Sequence, residues 1–413
     1  MLPSSSDRDL LLLTEARLSA PVRLNPGERR VLEDHFEAKI TTELDESYRV
    51  RPGSVVGSVQ IGARTVVVEP KLRIDRVLFM TAYTADPHRS RDQWSTIAAA
   101  GNLTDGIAAL FLTAYQRTVA QGLLRAYRTV ESDETTIRGR IRWPRQARRP
   151  GPLPIAVRYQ VHDDDIVENQ ILRTVVRQLR RQRITDPTIQ AGLARAWQQL
   201  RDLTRTPATP SVIDRLTWTR HNAHYRPILN LARIILAASM PDLDVGAVPV
   251  VGFTLRLYDV FEQFVRTVLR EAVDASLSDF PDNAADHQLY LDTDRRIRLE
   301  PDLGHHPHRT WAFIGDVKYK TDTGNGLNPD LYQLLAYATA AGLPEATLIY
   351  ADGPPQRRSH RVRHRYIDLH IHHLNLDRPP THVLRDLADL AAQVRHQSTQ
   401  GTMSSRRSID GQP

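Results

Sequence analysis

The chain has no cysteine among its 413 residues. Disulfides, thiolate metal sites and cysteine nucleophiles are therefore excluded, and the composition suits a reducing compartment. Lysine is nearly as scarce. Of 55 Lys plus Arg, only Lys39, Lys71, Lys318 and Lys320 are lysine. Arginine does not give up its proton and lysine can, so each lysine kept in so arginine-rich a chain carries information. Long apolar runs are missing too. The longest early one, Leu10 to Leu13, is too short for a signal-peptide core or a membrane span, so the expected location is the cytoplasm, with no membrane partner. No Gly-x-x-x-x-Gly-Lys-[Ser/Thr] occurs, so there is no Walker loop for a nucleotide. Aromatics are few at 6%, yet the 41% hydrophobic content supports two or three domains with cores of their own.

What is present is positive charge. A net charge of +7 and a pI near 9.7 point to a polyanionic partner such as nucleic acid, the alternative being a solvated basic surface. The expected fold class is α+β and multidomain. Residues 1–90 read as a β-rich N-terminal region, with Gly53 to Val68 alternating apolar and polar as a hairpin does. An apolar helical pattern follows from Val77 to Tyr83. Residues 91–245 read as mainly helical with short strands, 93–128 predominantly helical and 169–183 a basic amphipathic helix. Gly246, Pro249 and Gly252 suggest a boundary. Residues 246–395 then alternate as an α/β domain: a helix at 257–275, strands near 286–291, 296–303 and 310–320, a helix at 329–341, and strands at 346–351 and 361–371. Residues 396–413, rich in Ser, Gln, Arg and Gly, are expected to be disordered.

The chemistry concentrates in Pro301-Asp302 and Asp316-Val317-Lys318. Side chains alternate along a strand, so Asp316 and Lys318 share a face, and Asp302 at the end of the neighbouring strand can converge on them. Two carboxylates suit Mg²⁺, a hard cation that takes oxygen ligands and keeps its waters, with Mn²⁺ as a substitute. The cation would polarise a phosphodiester and Lys318 would stabilise the developing charge. Together these residues match the PD-(D/E)XK nuclease pattern, against the alternative of a surface hairpin with an incidental ion pair. Glu262, on the preceding helix, is a candidate third metal ligand or an ordinary helix glutamate. Gln333 and Tyr337 lie one turn apart on the following helix, as assisting residues do in RecB-like nucleases, or as core packing. Lys320, Arg361, Arg363 and Arg365 are candidate DNA contacts. Six arginines crowd Arg138 to Arg149 around Trp143, a phosphate-binding loop or a solvated one. Asp163-Asp164-Asp165 reads as an acidic turn ahead of a helix. The histidines at 305, 306, 308, 370, 372 and 373 match no structural zinc spacing.

From about residue 50 to 375 the chain resembles the McrC family, the nuclease subunit of the McrBC modified-cytosine restriction system. The likeness in the nuclease half lies in Phe261-Glu262, Pro301-Asp302, Asp316 to Lys320 and Tyr332 to Tyr337. In the front half it lies in Gly62 to Tyr83 centred on Val68-Glu69-Pro70-Lys71, in Arg138-Gly139-Arg140-Ile141, and in Asp165 with Asn169-Gln170-Ile171-Leu172. The resemblance implies a C-terminal PD-(D/E)XK nuclease domain that cuts DNA, and a front region docked on a hexameric AAA+ GTPase that recognises methylated DNA. Residues 1–50 show no clear family pattern, so no residue is assigned to partner contact. Two other readings compete: a self-sufficient RecB- or Cas4-like nuclease, of which the iron–sulfur variety needs cysteines, and a DNA-binding adaptor with a silent nuclease fold.

Overall fold

The computed structural model describes residues 10–88, 100–120, 122–239, 243–245, 248–282, 287–321, 328–353 and 358–409. The first elements are β1 (Leu10–Thr14), α1 (Pro26–Phe36), β2 (Lys39–Thr42), β3 (Tyr48–Arg51), β4 (Val55–Ile61), β5 (Arg64–Glu69) and α2 (Ile74–Ala85). Then come α3 (Leu103–Thr118), β6 (Ala126–Glu134), β7 (Arg140–Ile141), α4 (Trp143–Gln146) and β8 (Ile155–Asp163). Helices α5 (Val167–Leu179), α6 (Pro187–Leu200), α7 (Pro210–Asp214) and α8 (Arg226–Ala238) complete the middle. The last part opens with β9 (Leu243–Val245), β10 (Val248–Arg256) and α9 (Leu257–Ala272). Strands β11 (Leu289–Tyr290), β12 (Arg298–Leu299), β13 (Leu303–His305) and β14 (Phe313–Thr321) follow. The chain then runs through α10 (Asn328–Ala341), β15 (Glu345–Asp352), β16 (Arg358–Arg361), β17 (Asp368–His373) and α11 (Pro380–Ile409). It is a mixed α+β protein of two compact units, residues 1–103 with 240–413, and residues 104–239.

The first unit contains two five-stranded sheets. One has the order β1-β5-β4-β10-β9. The expected hairpin is there: Gly57 to Ile61 of β4 pairs antiparallel with Arg64 to Val68 of β5 across a two-residue turn. The segment around Gly246 to Gly252 was expected as a boundary. The two units divide just before it, after Ser239. Gly246 lies outside the described residues, and from Val250 to Arg256 β10 pairs with β4, Val250 opposite Ile61 and Arg256 opposite Val55, so one sheet joins strands from residues 10–69 and 243–256. Gly57 makes that pairing possible. Its φ is +139°, and a Cβ there would stand 2.0 Å from the Phe253 carbonyl oxygen.

The other sheet has the order β13-β14-β15-β17-β16, with β14, β15 and β17 mutually parallel and β13 and β16 antiparallel edges. Strand β15 is buried from Ala346 to Ala351 and apolar there apart from Thr347, as suits a central strand covered on both faces. Helix α9 buries Val260, Phe261, Phe264, Val265, Val268 and Leu269, spacings of three and four that give one apolar stripe. Helix α10 begins at Asn328-Pro329 as expected, and Gly342, at φ +67°, ends it.

Several expectations need correction. The single strand expected at 296–303 is two: β12 pairs with β11, and β13 pairs with β14, because Pro301 between them cannot donate to a ladder. The strand expected at 361–371 is an antiparallel pair, β16 and β17. A turn intervenes with His364 at φ +58°, closed by Val362 N–H donating to the Ile367 carbonyl at 2.9 Å. The tail expected to be disordered continues α11 as far as Ile409, since nothing after Pro380 in it is proline; 410–413 lie outside the described residues. Of the helix expected over 93–128, residues 93–99 also lie outside them. The helix formed is α3, and residues 126–128 belong to β6.

The second unit packs helices beside a three-stranded sheet of order β6-β8-β7. Its Asn169 is fully buried and donates to the carbonyls of Leu124 (2.8 Å) and Asp164 (2.7 Å), while accepting from the Tyr225 hydroxyl at 3.0 Å. Asp165 accepts from Thr204 N–H at 2.7 Å and from Gln170 at 3.0 Å. Satisfied buried polar groups of this kind fix one packing, so the Asp165 and Asn169-Gln170 pattern is architectural. Gly139, at φ +70°, lies where a Cβ would come within 2.5 Å of the Arg158 carbonyl oxygen.

Candidate metal centre

Strand β14 carries the centre. Its even positions Ile314, Asp316, Lys318 and Lys320 face α10, where Ile314 packs with Leu334 and Tyr337. Its odd positions face α9, where Tyr319 meets Phe261 with ring centroids 6.0 Å apart. Leu303 pairs with Gly315 in the β13–β14 ladder. One step further along that antiparallel register, Asp302 stands opposite Asp316.

Asp316 is 1% exposed. Its Oδ1 has no hydrogen-bond partner among the described residues, and its Oδ2 is ion-paired with the Lys318 ammonium. Burial, then the charge of Asp302, pushes the Asp316 carboxyl up to about 8, with Lys318 pulling the other way. Burial opposes the Lys318 charge, but Asp316 more than offsets that and holds the ammonium above its ordinary value. Asp302 is fixed through Oδ2, which accepts from Val317 N–H at 2.8 Å.

Glu262 lies on α9 on the other side of Asp302. Burial, and next the Asp302 charge, raise its carboxyl, against the pull of Arg266. Its carboxylate is ion-paired with Arg266. Arg266 is 5% exposed and donates from Nε (3.1 Å) and from a terminal nitrogen (2.7 Å) to the backbone carbonyl of Asp302. Among the described residues no three His, Asp or Glu side chains converge closely enough to hold one ion together. The structure thus brings Asp302, Asp316 and Lys318 together and leaves Glu262 adjacent, engaged by Arg266.

Gln333 donates to the Tyr337 hydroxyl at 2.9 Å, and that hydroxyl donates to the Glu300 carbonyl at 2.9 Å. Tyr337, 2% exposed, therefore buttresses the Glu300-Pro301-Asp302 turn. Its phenol is pushed up by burial and then by Asp316 and Asp302. Lys320 is tied to buried Asp330 at 2.9 Å, and Asp330 also accepts from the Tyr350 hydroxyl at 2.6 Å. The arginines proposed for DNA are elsewhere. Arg361 ends the edge strand β16 in a two-pronged pair with Asp368 at 2.6 Å, and Arg363 and Arg365 sit in the following turn. That edge is three strand spacings from β14, about 14 Å. In the second unit, Arg142, Arg145 and Arg149 pair with Glu131 and Asp133, while Trp143 is 67% exposed.

Arg266 and Asp330 were not picked out from sequence. The spacing of Arg266 four residues after Glu262 announces their ion pair, but nothing local announces its reach to the Asp302 carbonyl. The pair Asp302 and Asp316 fits a divalent cation. Two carboxylates brought together in a buried place with a single ammonium between them leave negative charge under-compensated, and hard carboxylate oxygens are what Mg²⁺ uses.

Residues 50–351 match the family profile described as the McrBC 5-methylcytosine restriction system component. The chain belongs to that family. Among solved structures, this McrBC component is similar to a chain of the refined half-complex of Thermococcus gammatolerans McrB AAA+ hexamers with bound McrC. The identity is 15% and the TM-score 0.53, over 93% of this chain and 100% of that one. The cryo-EM structure of the Thermococcus gammatolerans McrBC complex matches at 18% identity over 64% of this chain and 88% of that one, with a TM-score of 0.41. No curated protein matches in sequence. No described helix of the McrBC component is long and apolar enough to cross a membrane.

Proposed function

We propose that this McrBC component is the DNA endonuclease subunit of a modification-dependent, 5-methylcytosine-type restriction system. In this reading it hydrolyses phosphodiesters with Mg²⁺ in a PD-(D/E)XK site and works with a separate AAA+ GTPase. The observation that carries the reading is Asp316: buried, with the Lys318 ammonium as its counter-ion, no donor on Oδ1 among the described residues, and Asp302 beside it. Family membership and the absence of a Walker loop support the division of labour.

Asp302 and Asp316 would hold the cation, which when bound supplies positive charge to a scissile phosphate and acidifies a water. Arg266 and Val317 N–H keep Asp302 aimed at Asp316. Lys318 is the counter-ion of Asp316 at rest and, with Asp316 engaged elsewhere, would present its ammonium to the charge that develops on phosphate oxygens. Tyr337, oriented by Gln333, stiffens the turn before Asp302.

The test is plasmid cleavage in Mg²⁺, with the AAA+ partner present, by wild type, Asp316→Asn and Lys318→Ala. Each substitution is expected to lower the rate roughly a hundredfold or more with the folded circular dichroism spectrum retained at the assay temperature. Near-normal cutting by either variant would overturn the site. Firm DNA binding by a wild type that never cuts would favour the silent adaptor.

A further inference from the structure

The half of β14 that carries the chemistry is the less supported half of the strand. Strand β13 covers only Phe313 to Gly315. From Asp316 on, the ladder partner is β15, and the register with β15 breaks between Lys318 and Thr321. A strand with one neighbour and a broken ladder needs anchors from its side chains. The two residues in the break have them, on opposite faces. Lys320 is tied to Asp330 on the α10 face.

Tyr319 is tied on the other face, to the front of the chain. Its hydroxyl donates to Glu15 Oε2 at 3.3 Å, and the same oxygen accepts from Lys71 N–H at 3.0 Å. Glu15 directly follows β1, is 1% exposed, and its own N–H donates to the Glu69 carbonyl at 2.9 Å. The Lys71 ammonium lies 5.2 Å from the centre of the Tyr319 ring. The Val68-Glu69-Pro70-Lys71 segment, which the site itself leaves unexplained, thus ends against the strand of Asp316 and Lys318.

We propose that Glu15 and Lys71 are positioning residues that act through Tyr319, clamping β14 so that Asp316 and Lys318 are held in place for the cation. This rests on the nuclease reading for its consequence, though not for the clamp itself. Removing the Tyr319 hydroxyl or the Glu15 carboxylate frees the strand end, whereas Glu15→Gln keeps an oxygen that accepts both donors.

The experiment compares full-length wild type, Tyr319→Phe, Glu15→Ala and Glu15→Gln. Amide hydrogen exchange is followed on peptides covering β14 and, as internal reference, β17. Mn²⁺ binding is followed by electron paramagnetic resonance, with Asp316→Asn as the blank. In Tyr319→Phe and Glu15→Ala, β14 is expected to exchange about fivefold faster and half-saturating Mn²⁺ to rise about fivefold, the worth of one hydrogen bond. Exchange in β17 should be unchanged and Glu15→Gln should behave as wild type. A merely structural role would speed exchange in both strands and leave Mn²⁺ affinity alone. Unchanged exchange in β14, or loosened β14 with unchanged Mn²⁺ affinity, overturns the clamp. Wild type that binds no more Mn²⁺ than Asp316→Asn sinks the nuclease reading instead, and exchange alone then decides whether the clamp exists.

Discussion

Asp316 is buried and Glu262 half-buried, each carboxylate with a different partner, and the partners decide how each responds to pH and metal. The Asp316 carboxyl, at about 8 in the fold, lies far above the roughly 4 of an unfolded aspartate. A raised folded value means that the native chain holds the proton more tightly. The contribution to stability is then full below about pH 4 and is lost as pH rises through 8. In EDTA, wild type should therefore melt progressively lower from pH 5 to 9, with a shallower slope in Asp316→Asn; identical slopes would show that Asp316 is not the group responsible. Metal competes with the same proton, so Mn²⁺ affinity should climb about tenfold per pH unit up to pH 8 and then level off. Glu262 is engaged by Arg266 rather than by Asp316. If it nonetheless joins the cation, Glu262→Gln should raise the half-saturating Mg²⁺ for cleavage several-fold while leaving DNA affinity unchanged. A Mg²⁺ titration in which both midpoint and maximal rate stay at wild-type values would leave Glu262 as the counter-ion of Arg266 alone.

Among the elements, those written in local pattern were legible and those set by distant pairing were not. Alternation from Gly53 to Val68, the stripe of α9 and the Asn328-Pro329 start of α10 all read directly. So did the grouping of Asp316 with Lys318, because a period of two needs no tertiary knowledge. The boundary signals near Gly252 lie just after the division between the two units at Ser239, but being local they could not tell that β10 pairs with β4, nearly two hundred residues away. The reach of Arg266 to Asp302 and of Tyr319 to Glu15 was hidden for the same reason. The arginines at the end of β16 misled in the opposite way: Arg361, Arg363 and Arg365 alternate as a strand does, yet β16 ends at Arg361 and the chain turns at His364. The β4–β10 pairing makes its own prediction. Gly57→Ala would strain a φ of +139° and drive a Cβ onto the Phe253 carbonyl. A stability loss of about 2–3 kcal/mol is expected by denaturant titration, and a loss below roughly 0.5 kcal/mol would mean the two strands separate at that point without cost.

On the scale of the molecule, the front of the chain is more than a nuclease centre requires, and it divides in two. Residues 1–103 share a unit with 240–413: β10 lies between β4 and β9, and Tyr83 donates to Glu271 at 2.9 Å. A cut at residue 246 would therefore leave β10 without β4, so an isolated 246–413 piece is a poor probe of what the front does. Residues 104–239 form the second unit with its own buried core, including Phe111, Leu172, Val176, Tyr225 and Ile235, and none of the candidate site residues lies in it. The simplest use of the front region, 1 to about 245, is to dock a separate AAA+ GTPase, since the chain has no Walker loop of its own. The purified chain is then expected to hydrolyse neither GTP nor ATP, and to cut methylated DNA only when the partner and its nucleotide are added. Replacing 104–239 by a short flexible linker should leave Asp316-dependent Mn²⁺ binding near the wild-type value, which reports an intact first unit, while reducing co-purification of the partner. Retained co-purification would move the docking surface to the first 103 residues. Efficient methylation-dependent cutting by the isolated full-length chain would remove the need for a partner altogether.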